Sequence, residues 1–512
     1  MRFPVLMFAA AVTALSPVSA SAFCGFYVGG AGASLFADAT QVVLMREGTQ
    51  TVLSMQNRYS GPADDFAMVI PVPVVLQEAD VKTLHDDLFA QLDTLTSPRL
   101  VEYWETDPCK PAYSDGCEDG WCNNFADSPS INNATNNSLP AVIVEAEFAV
   151  GEYNIVVLSA QDSTSLDTWL DQNDYNVPAG AAPYYQPYIN SGMYFFVAKV
   201  DSTKVTFDSN GNAQLSPLRF SYTSAEFSLP VRLGMINSQG QQDLIIHTLG
   251  ARQRYELANY TNVTIPTNIR VDDSVRNNFG DFYRALFAKT LKENPGAAIT
   301  EYAWDVRTCD PCPAGDVTLS SDDLASLGGD VLWGVDNIPY NVVATRIHLR
   351  YDKDEVGEDL VFRTAEPIVG GREFVVDRET GELEKGAKPG SMDNFQARYI
   401  IRHQWDGPVA CDEPVFGRWG GPNGATNPGV FSAPGPNTTG EDVFATISSE
   451  LAELVREDIP EIGVIAQNPS SPNTPSSGTK AEGGGCTAAS PSGVLPGFFF
   501  LGVLGLILRR RR

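Results

Sequence analysis

Residues 41–59 read QVVLMREGTQTVLSMQNRY, and this stretch decides the fold class. Two apolar runs, QVVLMRE and TVLSMQNRY, flank Gly48 inside a short polar turn, the pattern of an antiparallel hairpin. DFAMVIPVPV at 65–74 supplies a third strand ended by prolines. The period then changes. Val81, Leu84, Leu88, Leu92 and Leu95 recur every three or four positions, which predicts an amphipathic helix over 78–95, laid on the sheet that the strands begin.

Outward from there the β pattern continues. AVIVEAEFAV and YNIVVLSA form two strands about Gly151, and GMYFFVAKV at 192–200 is a strongly aromatic strand. LSPLRFSY, AEFSLPVRLG and QDLIIHTLG carry the β content to residue 250. STSLDTWLDQN at 163–173 reads as a short helix capped by Ser163 or Ser165, with Trp169 and Leu170 toward the core. In the second half the clearest helix is 274–296, where Phe279, Phe282, Tyr283, Leu286 and Phe287 crowd one face and Asn294, Pro295 and Gly296 stop it. Strands follow at 298–306, 341–351, 360–364, 371–377 and 396–403, with a hairpin about Thr380 and Gly381, and a last helix spans 446–457. No fixed repeat is present, which argues against solenoids and propellers. The expected fold is α+β, mainly antiparallel β-sheet with several packed helices, in two domains: 23–235, which holds a cysteine loop at 109–122, and 236–466.

The ends read differently. Residues 1–22 combine Arg2, an apolar run from Phe3 to Leu15 and the small residues Ala20, Ser21 and Ala22, the layout of a cleaved secretory signal peptide. Lipoprotein cleavage before Cys24 would want a small residue where Phe23 stands. QNPSSPNTPSSGTKAEGGG at 467–485 is too polar and too rich in Pro, Ser and Gly to bury a core and reads as a flexible spacer. Residues 486–512 hold Cys486, an apolar run from Val494 to Leu508 and four arginines. The run is short against the roughly 20 residues of a typical span, but the arginines would hold its end in the cytoplasm. A single-span inner-membrane anchor is one reading of this tail.

Charge excludes one class of partner. Asp and Glu outnumber Lys and Arg by 63 to 35, a formal net charge of -28, and five of the positive residues are Arg2 and Arg509 to Arg512. A body this acidic repels phosphate backbones, so nucleic acid is excluded as a partner.

Seven cysteines precede Cys486: Cys24, Cys109, Cys117, Cys122, Cys309, Cys312 and Cys411. In an exported chain they are disulfide candidates. A local bridge among Cys109, Cys117 and Cys122 would restrain the acidic loop CKPAYSDGCEDGWC, with Cys24 a partner for the one left over. CDPC at 309–312 lacks the helix start that lowers a redox cysteine's pKa, so a structural bridge within the motif or to Cys411 is expected.

The polar residues offer a small set of candidates for a site. Arg346, His348 and Arg350 alternate along one strand, and Arg402 and His403 lie on another. They form either a ligand or anion patch or a set of salt bridges to the many carboxylates. His247 and His348 sit at strand positions suited to cross-strand hydrogen bonds, and His85 at the margin of the first helix. Calcium is the one candidate cofactor: Asp352, Asp354 and Asp359 stand in YDKDEVGEDL, which opens like an EF-hand but has Arg363 where the bidentate Glu belongs. A plain solvated acidic turn is the other reading. Neither a nucleophile elbow nor a phosphate-binding P-loop occurs.

Long phrases carry a family resemblance: FCGFYV, VVLMREGTQTVLSMQNRYSGPADDFAMVIPVP, LVEYWETDPC, LDTWLDQNDYNVP, LSPLRFSYTSAEFSLPVRLG, and RIHLRY with RHQWDGPVAC. From Phe23 to about Cys411 the chain resembles the bacterial domain of unknown function 2330 family, a resemblance that implies no activity and transfers no catalytic residue. The tail, a Gly-rich stretch with Cys486, a short apolar helix and a basic cluster, resembles the myxobacterial cysteine-containing sorting signal. That resemblance implies removal of the helix by a sorting or processing protease and attachment to the cell surface through Cys486.

Two functions fit these features. The first is a surface-anchored exported envelope protein, at the cell surface or outer envelope or else on the periplasmic side of the inner membrane, fastened to the membrane by its tail. It would work by binding a protein or glycan ligand or as envelope structure. The second is an exported hydrolase using carboxylates such as Asp64 and Asp65 or Glu145 and Glu147. Hydrolysis of glycosides needs two carboxylates facing each other across a cleft, about 5–9 Å apart.

Overall fold

The computed structural model describes residues 26–28, 36–60, 67–109, 142–173, 175, 177, 180–207, 213–237, 241–313, 317–351, 357–373, 375, 383–420, 429–432 and 447–469. The elements that position the site are, in chain order, β1 (Phe36–Glu47), β2 (Gln50–Ser60), α1 (Asp86–Thr96), β3 (Arg99–Glu105), β4 (Leu218–Thr223), β5 (Gln242–Ala251), α2 (Phe279–Glu293), β6 (Ala298–Asp305), β7 (Val342–Tyr351), β8 (Asn394–Gln396) and β9 (Arg398–His403).

The opening hairpin forms as its residues dictate. β1 and β2 pair antiparallel with Glu47 opposite Gln50, and Gly48 takes φ 56°, a left-handed turn conformation that costs glycine nothing. The hairpin lies inside an eleven-stranded sheet. Its order is Lys388–Pro389, Ile368–Gly370, β8, β6, β7, β5, β1, β2, β4 and Val81–Thr83, with Asn262–Thr264 beside β6. β5 joins β1 in parallel, while β5, β7 and β6 pair antiparallel with one another in sequence. Mixed α and β structure with mainly antiparallel pairing is the observed class.

Three expectations are corrected. Ala67–Val72 does not extend the hairpin, because β4 occupies the free side of β2. It pairs instead with Tyr194–Val200 in a second, five-stranded sheet, where all six of its residues are buried. The helix foreseen over 78–95 begins only at Asp86: Val81–Thr83 pairs as an edge strand with β4, and His85 is the residue before the helix. Val81 satisfies the helical period, but its β-branched side chain packs from a strand. The division at 235/236 also does not appear, since the large sheet takes β1, β2 and β4 from one side of it and β5, β6 and β7 from the other. The described residues from Phe26 to Pro469 belong to one unit.

A third sheet carries the chemistry. Ile269–Arg270, β9 and β3 run parallel, and Trp419–Gly420 and Gly429–Ser432 pair antiparallel with β3. β8 of the large sheet passes into β9 of the small one through Ala397, whose N–H donates to Glu301 O and whose carbonyl accepts from Arg99 N.

Apolar side chains fix these layers. One face of the large sheet (Ile246, Ile347, Leu349) packs on the second sheet through Ile70, Val157 and Phe196. On the opposite face, Phe89, Leu92 and Leu95 of α1 cover Val43, Met45 and Leu249, while Phe282 and Leu286 of α2 pack with Ile299, Tyr399 and Ile401. Each such buried side chain contributes about 1.5–3 kcal/mol of transfer free energy. Between α1 and α2 the sheet face is polar. Among the described residues no helix is long and apolar enough to cross a membrane; residues 494–508 lie outside them.

Candidate functional site

β7 presents Arg346, His348 and Arg350 on the face away from Ile347 and Leu349, because strand side chains alternate. β5 places His247 opposite Arg346 and Asp243 opposite Arg350. β6 slips register between Thr300 and Tyr302. A bulge re-aims the residue it adds, and here Glu301 meets both Arg346 and His348. Arg346 Nε donates to Glu301 Oε2 at 2.6 Å and its Nη1 to Asp93 of α1 at 2.5 Å. His348 Nδ1 is 2.8 Å from Glu301 Oε1, and its Nε2 is 3.1 Å from Asp243 Oδ1. Arg350 closes a two-pronged contact on Asp243 at 2.7 and 2.8 Å. Tyr283 of α2 donates to Glu301, and Phe287 stacks on the imidazole of His348 at 3.9 Å.

The result is a buried row of alternating charge: Asp93, Arg346, Glu301, His348, Asp243, Arg350. Burial pushes the Glu301 carboxyl up, but His348 and Arg346 outweigh it and hold the group down at about 2. Burial pushes His348 down, and Glu301 and Asp243 more than restore it, so its pKa lies above the ordinary value. His247, fully buried beside Arg346, is driven well below the usual range by that burial and by the arginine; its Nε2 is 2.9 Å from Thr96 Oγ1. Of the two sequence readings of Arg346, His348 and Arg350, the salt-bridge set is the one this geometry matches.

His403 and Arg402 separate from that row and from each other. His403 faces α2's side of β9, where its Nε2 is 2.7 Å from Glu102 Oε2 and its ring stacks on Trp104 at 4.7 Å. Arg276 also donates to Glu102, at 2.6 Å through Nε. Arg402 points to the other face. Its guanidinium lies over the Trp419 ring at 4.8 Å, and its buried Nε has no hydrogen-bond partner.

That other face of the small sheet is built unlike β7. Register sets Arg99 beside Arg398 and Tyr103 beside Arg402, so three guanidiniums and one phenol of β3 and β9 share it, next to Arg270, which lies beside Ile400 and pairs with Glu457. Arg99 and Arg398 are 0% exposed. Arg99 donates to Pro311 O at 2.8 Å and Leu95 O at 2.5 Å, while its Nε is unpartnered. Arg398 donates to Asn268 Oδ1, Tyr103 Oη and the carbonyls of Arg372 and Glu373. Among the described residues none of the three arginines forms an ion pair. Burial lowers Arg99 to about 10, and it lowers Arg398 and Arg402 as well. Glu373 stands at this cluster, 7% exposed, its backbone N–H donating to Asp310 Oδ2 at 3.3 Å. Burial and Asp310 push the Glu373 carboxyl up to about 7 against the pull of Tyr103 and Arg398, so near neutrality it is about half ionised and offsets the arginines only in part.

The disulfides frame the cluster. Cys309–Cys312 closes within CDPC, one of the two pairings foreseen for it, and holds Asp310 and Pro311 against Gln396 and Arg99. Cys109 pairs not within its own acidic loop but with Cys411, 302 residues on. The reason is topological: β3 and β9 are adjacent parallel strands, so the segments that leave them emerge side by side. Cys24, Cys117, Cys122 and Cys486 lie outside the described residues.

The remaining candidates resolve as follows. Asp352 and Asp354 lie outside the described residues. Asp359 is engaged by protein donors: Tyr188 Oη at 2.6 Å, the N–H groups of Val231 and Arg232, and Arg232 Nη2 at 3.0 Å. Among the described residues no three metal-ligating side chains converge. Asp64 and Asp65 are outside the description. Glu145 falls at a register slip between Val144 and Ala146 and accepts from Ser159 Oγ, and the slip interrupts the strand alternation that would put it on one face with Glu147. The sequence reading missed Arg99, Arg398, Asp310 and Glu373. The repeat of arginine at 398 and 402 was available as a signal for two of the cluster's residues.

Fold and site together define a disulfide-containing α+β protein whose large sheet is locked by a buried row of ion pairs. The chain belongs to the family described as an uncharacterized protein conserved in bacteria (DUF2330), whose model matches residues 18–363. That match contains the whole row on β5, β6 and β7 and ends before Glu373, Arg398 and Arg402. No curated protein and no solved structure matches the chain.

Proposed function

We propose that this is an exported, envelope-anchored protein that acts by binding. The observation that carries the reading is the Cys109–Cys411 disulfide, which ties segments 302 residues apart. A bridge of that reach persists in an oxidising compartment and is kept reduced in a typical bacterial cytosol. The signal-like residues 1–22 and the Cys486 tail supply the route out and the fastening, with the spacer 467–485 holding the body off the membrane.

The test is fractionation of the producing cell combined with thiol labelling. The body is expected in the envelope with Cys109, Cys309, Cys312 and Cys411 resistant to alkylation until reduced, and Cys486→Ala is expected to release it. Recovery from the cytosol with all four thiols free overturns the reading.

One observation favours the hydrolase instead: Asp310 and Glu373 are adjacent carboxylates, one of them raised to about 7, as acid–base pairs require. Its buried carboxyl argues for the binding role. Turnover of a chromogenic glycoside or ester by the purified chain, abolished in Glu373→Gln, would replace binding with hydrolysis.

A further inference from the structure

We propose that Arg402 is an anion receptor, binding a carboxylate or phosphate oxyanion end-on at its terminal nitrogens, with Trp419 as the wall of the site. This rests on the binding reading above and names the chemistry of the ligand.

Four observations converge. First, among the described residues Arg402 has no hydrogen-bond acceptor and no ion pair, although its Nε is sealed from solvent. Its terminal nitrogens are therefore the part left to an outside partner, and the residue is only partly buried. Second, the Trp419 ring at 4.8 Å covers one face of the guanidinium. Stacking leaves the in-plane N–H edges free, which is the geometry that takes two oxygens of a carboxylate or phosphate.

Third, the carboxylate that might have served is committed elsewhere. Glu457 accepts from the backbone N–H of Arg270 at 2.6 Å, from Arg270 Nε at 3.4 Å and from Lys385 Nζ at 2.7 Å. Fourth, Arg398 and Arg99 lie buried on the same sheet face and form no ion pair among the described residues, so Arg402 has basic neighbours there. A partly buried guanidinium without a counterion is held at a desolvation cost, and an arriving oxyanion recovers part of it. In a chain of net charge -28 the acidic surface repels anions in general, so recognition depends on this locally positive face.

The experiment is thermal unfolding of the full, oxidised chain in chloride buffer, with inorganic phosphate or acetate substituted at constant ionic strength. The unfolding midpoint is expected to rise saturably with at least one of the two anions. A phosphate response assigns a phosphoryl ligand and an acetate response a carboxylate ligand. Arg402→Gln is expected to raise the half-saturating concentration at least tenfold, and Trp419→Ala several-fold. Arg363→Gln, which removes an exposed pair with Glu256, is expected to leave the response intact. If Arg402→Gln fails to fold, Trp419→Ala, which keeps the charge, decides. No saturable rise over matched chloride overturns the proposal, as does a full rise in Arg402→Gln or, where Trp419→Ala decides, a full rise there. Either result, with the disulfides formed and the chain in the envelope, removes the anion site and leaves the envelope reading standing.

Discussion

β7 and β9 each carry basic residues on one strand face, two apart at 346, 348 and 350 on β7 and four apart at 398 and 402 on β9, and give them opposite electrostatics. On β7 each cation is met by a carboxylate: Arg346 by Asp93 and Glu301, His348 by Glu301 and Asp243, Arg350 by Asp243. On β9, Arg398 and Arg402 are met by Arg99, Tyr103, backbone carbonyls and an indole face. The motif itself does not decide between a locked core and an open receptor. Its strand neighbours do: β5 and β6 bring acids to β7, whereas β3 brings another arginine to β9.

The comparison breaks first at Glu301, which three groups share. Glu301→Ala leaves Arg346, His348 and the Tyr283 hydroxyl facing a cavity, and removing one partner of a buried pair typically costs about 3–5 kcal/mol. A loss of that size in urea unfolding is expected. A loss under about 1 kcal/mol would mean that the row is not what holds β6, β7 and α2 together. The row also has a pH signature. Glu301 lies at about 2 in the fold against an ordinary 4.5, so its contribution is present above pH 4.5 and is lost as pH falls toward 2. His348 is raised, so its contribution is present below its ordinary 6.5 and is lost as pH climbs past the raised value.

The second break is covalent. Among the described residues the small sheet has no ion-pair row as long as that on β7, and its β3 and β9 ends are joined by Cys109–Cys411. Replacing both cysteines with alanine is expected to cost about 2–4 kcal/mol, measured with Cys309–Cys312 intact. No change would show that strand pairing alone fastens that sheet.

How much of this was legible beforehand follows from where the information lies. The hairpin at 41–59, helix α2 and the strand character of β5 and β7 are local: an apolar period and a turn glycine specify them. Residues 346, 348 and 350 on one face were equally plain, because alternation is a property of the strand alone. Their partners were not. Asp93 is on a helix, Asp243 on a neighbouring strand, and Glu301 reaches the row only because β6 bulges, a register event that no local pattern announces. The helix Ala182–Asn190 was missed because Pro183 and Pro187 argue against one. The Cys109–Cys411 pairing depends on which strands become neighbours, so sequence spacing favoured the wrong, local bridge.

The third test sharpens the contrast through pH. Glu373 is raised to about 7 from an ordinary 4.5, opposite in sense to Glu301. A carboxyl raised in the fold contributes stability that is fully present below pH 4.5 and lost as pH rises to 7. Glu373→Gln stays neutral throughout, so it is expected to match the wild type near pH 4.5 and to be more stable by about 2 kcal/mol at pH 8. Unfolding midpoints across that range check it, and equal stability at both ends would mean that Glu373 ionises freely beside Arg398.

The smallest effect is the most discriminating. Arg346→Met strands Glu301 and Asp93 in the interior and belongs with the largest losses, about 3–5 kcal/mol. Arg402→Met strands nothing, because no acceptor depends on it, and the methionine can still lie against Trp419. What is lost is one cation–π contact, worth about 0.5–2 kcal/mol, and what is removed is the cost of holding a partly buried charge without a counterion. The two nearly cancel, so stability in chloride buffer is expected within about 1 kcal/mol of wild type. A large loss at Arg402 would mean that the guanidinium has a structural partner after all, and the two strands would then carry their arginines for the same reason.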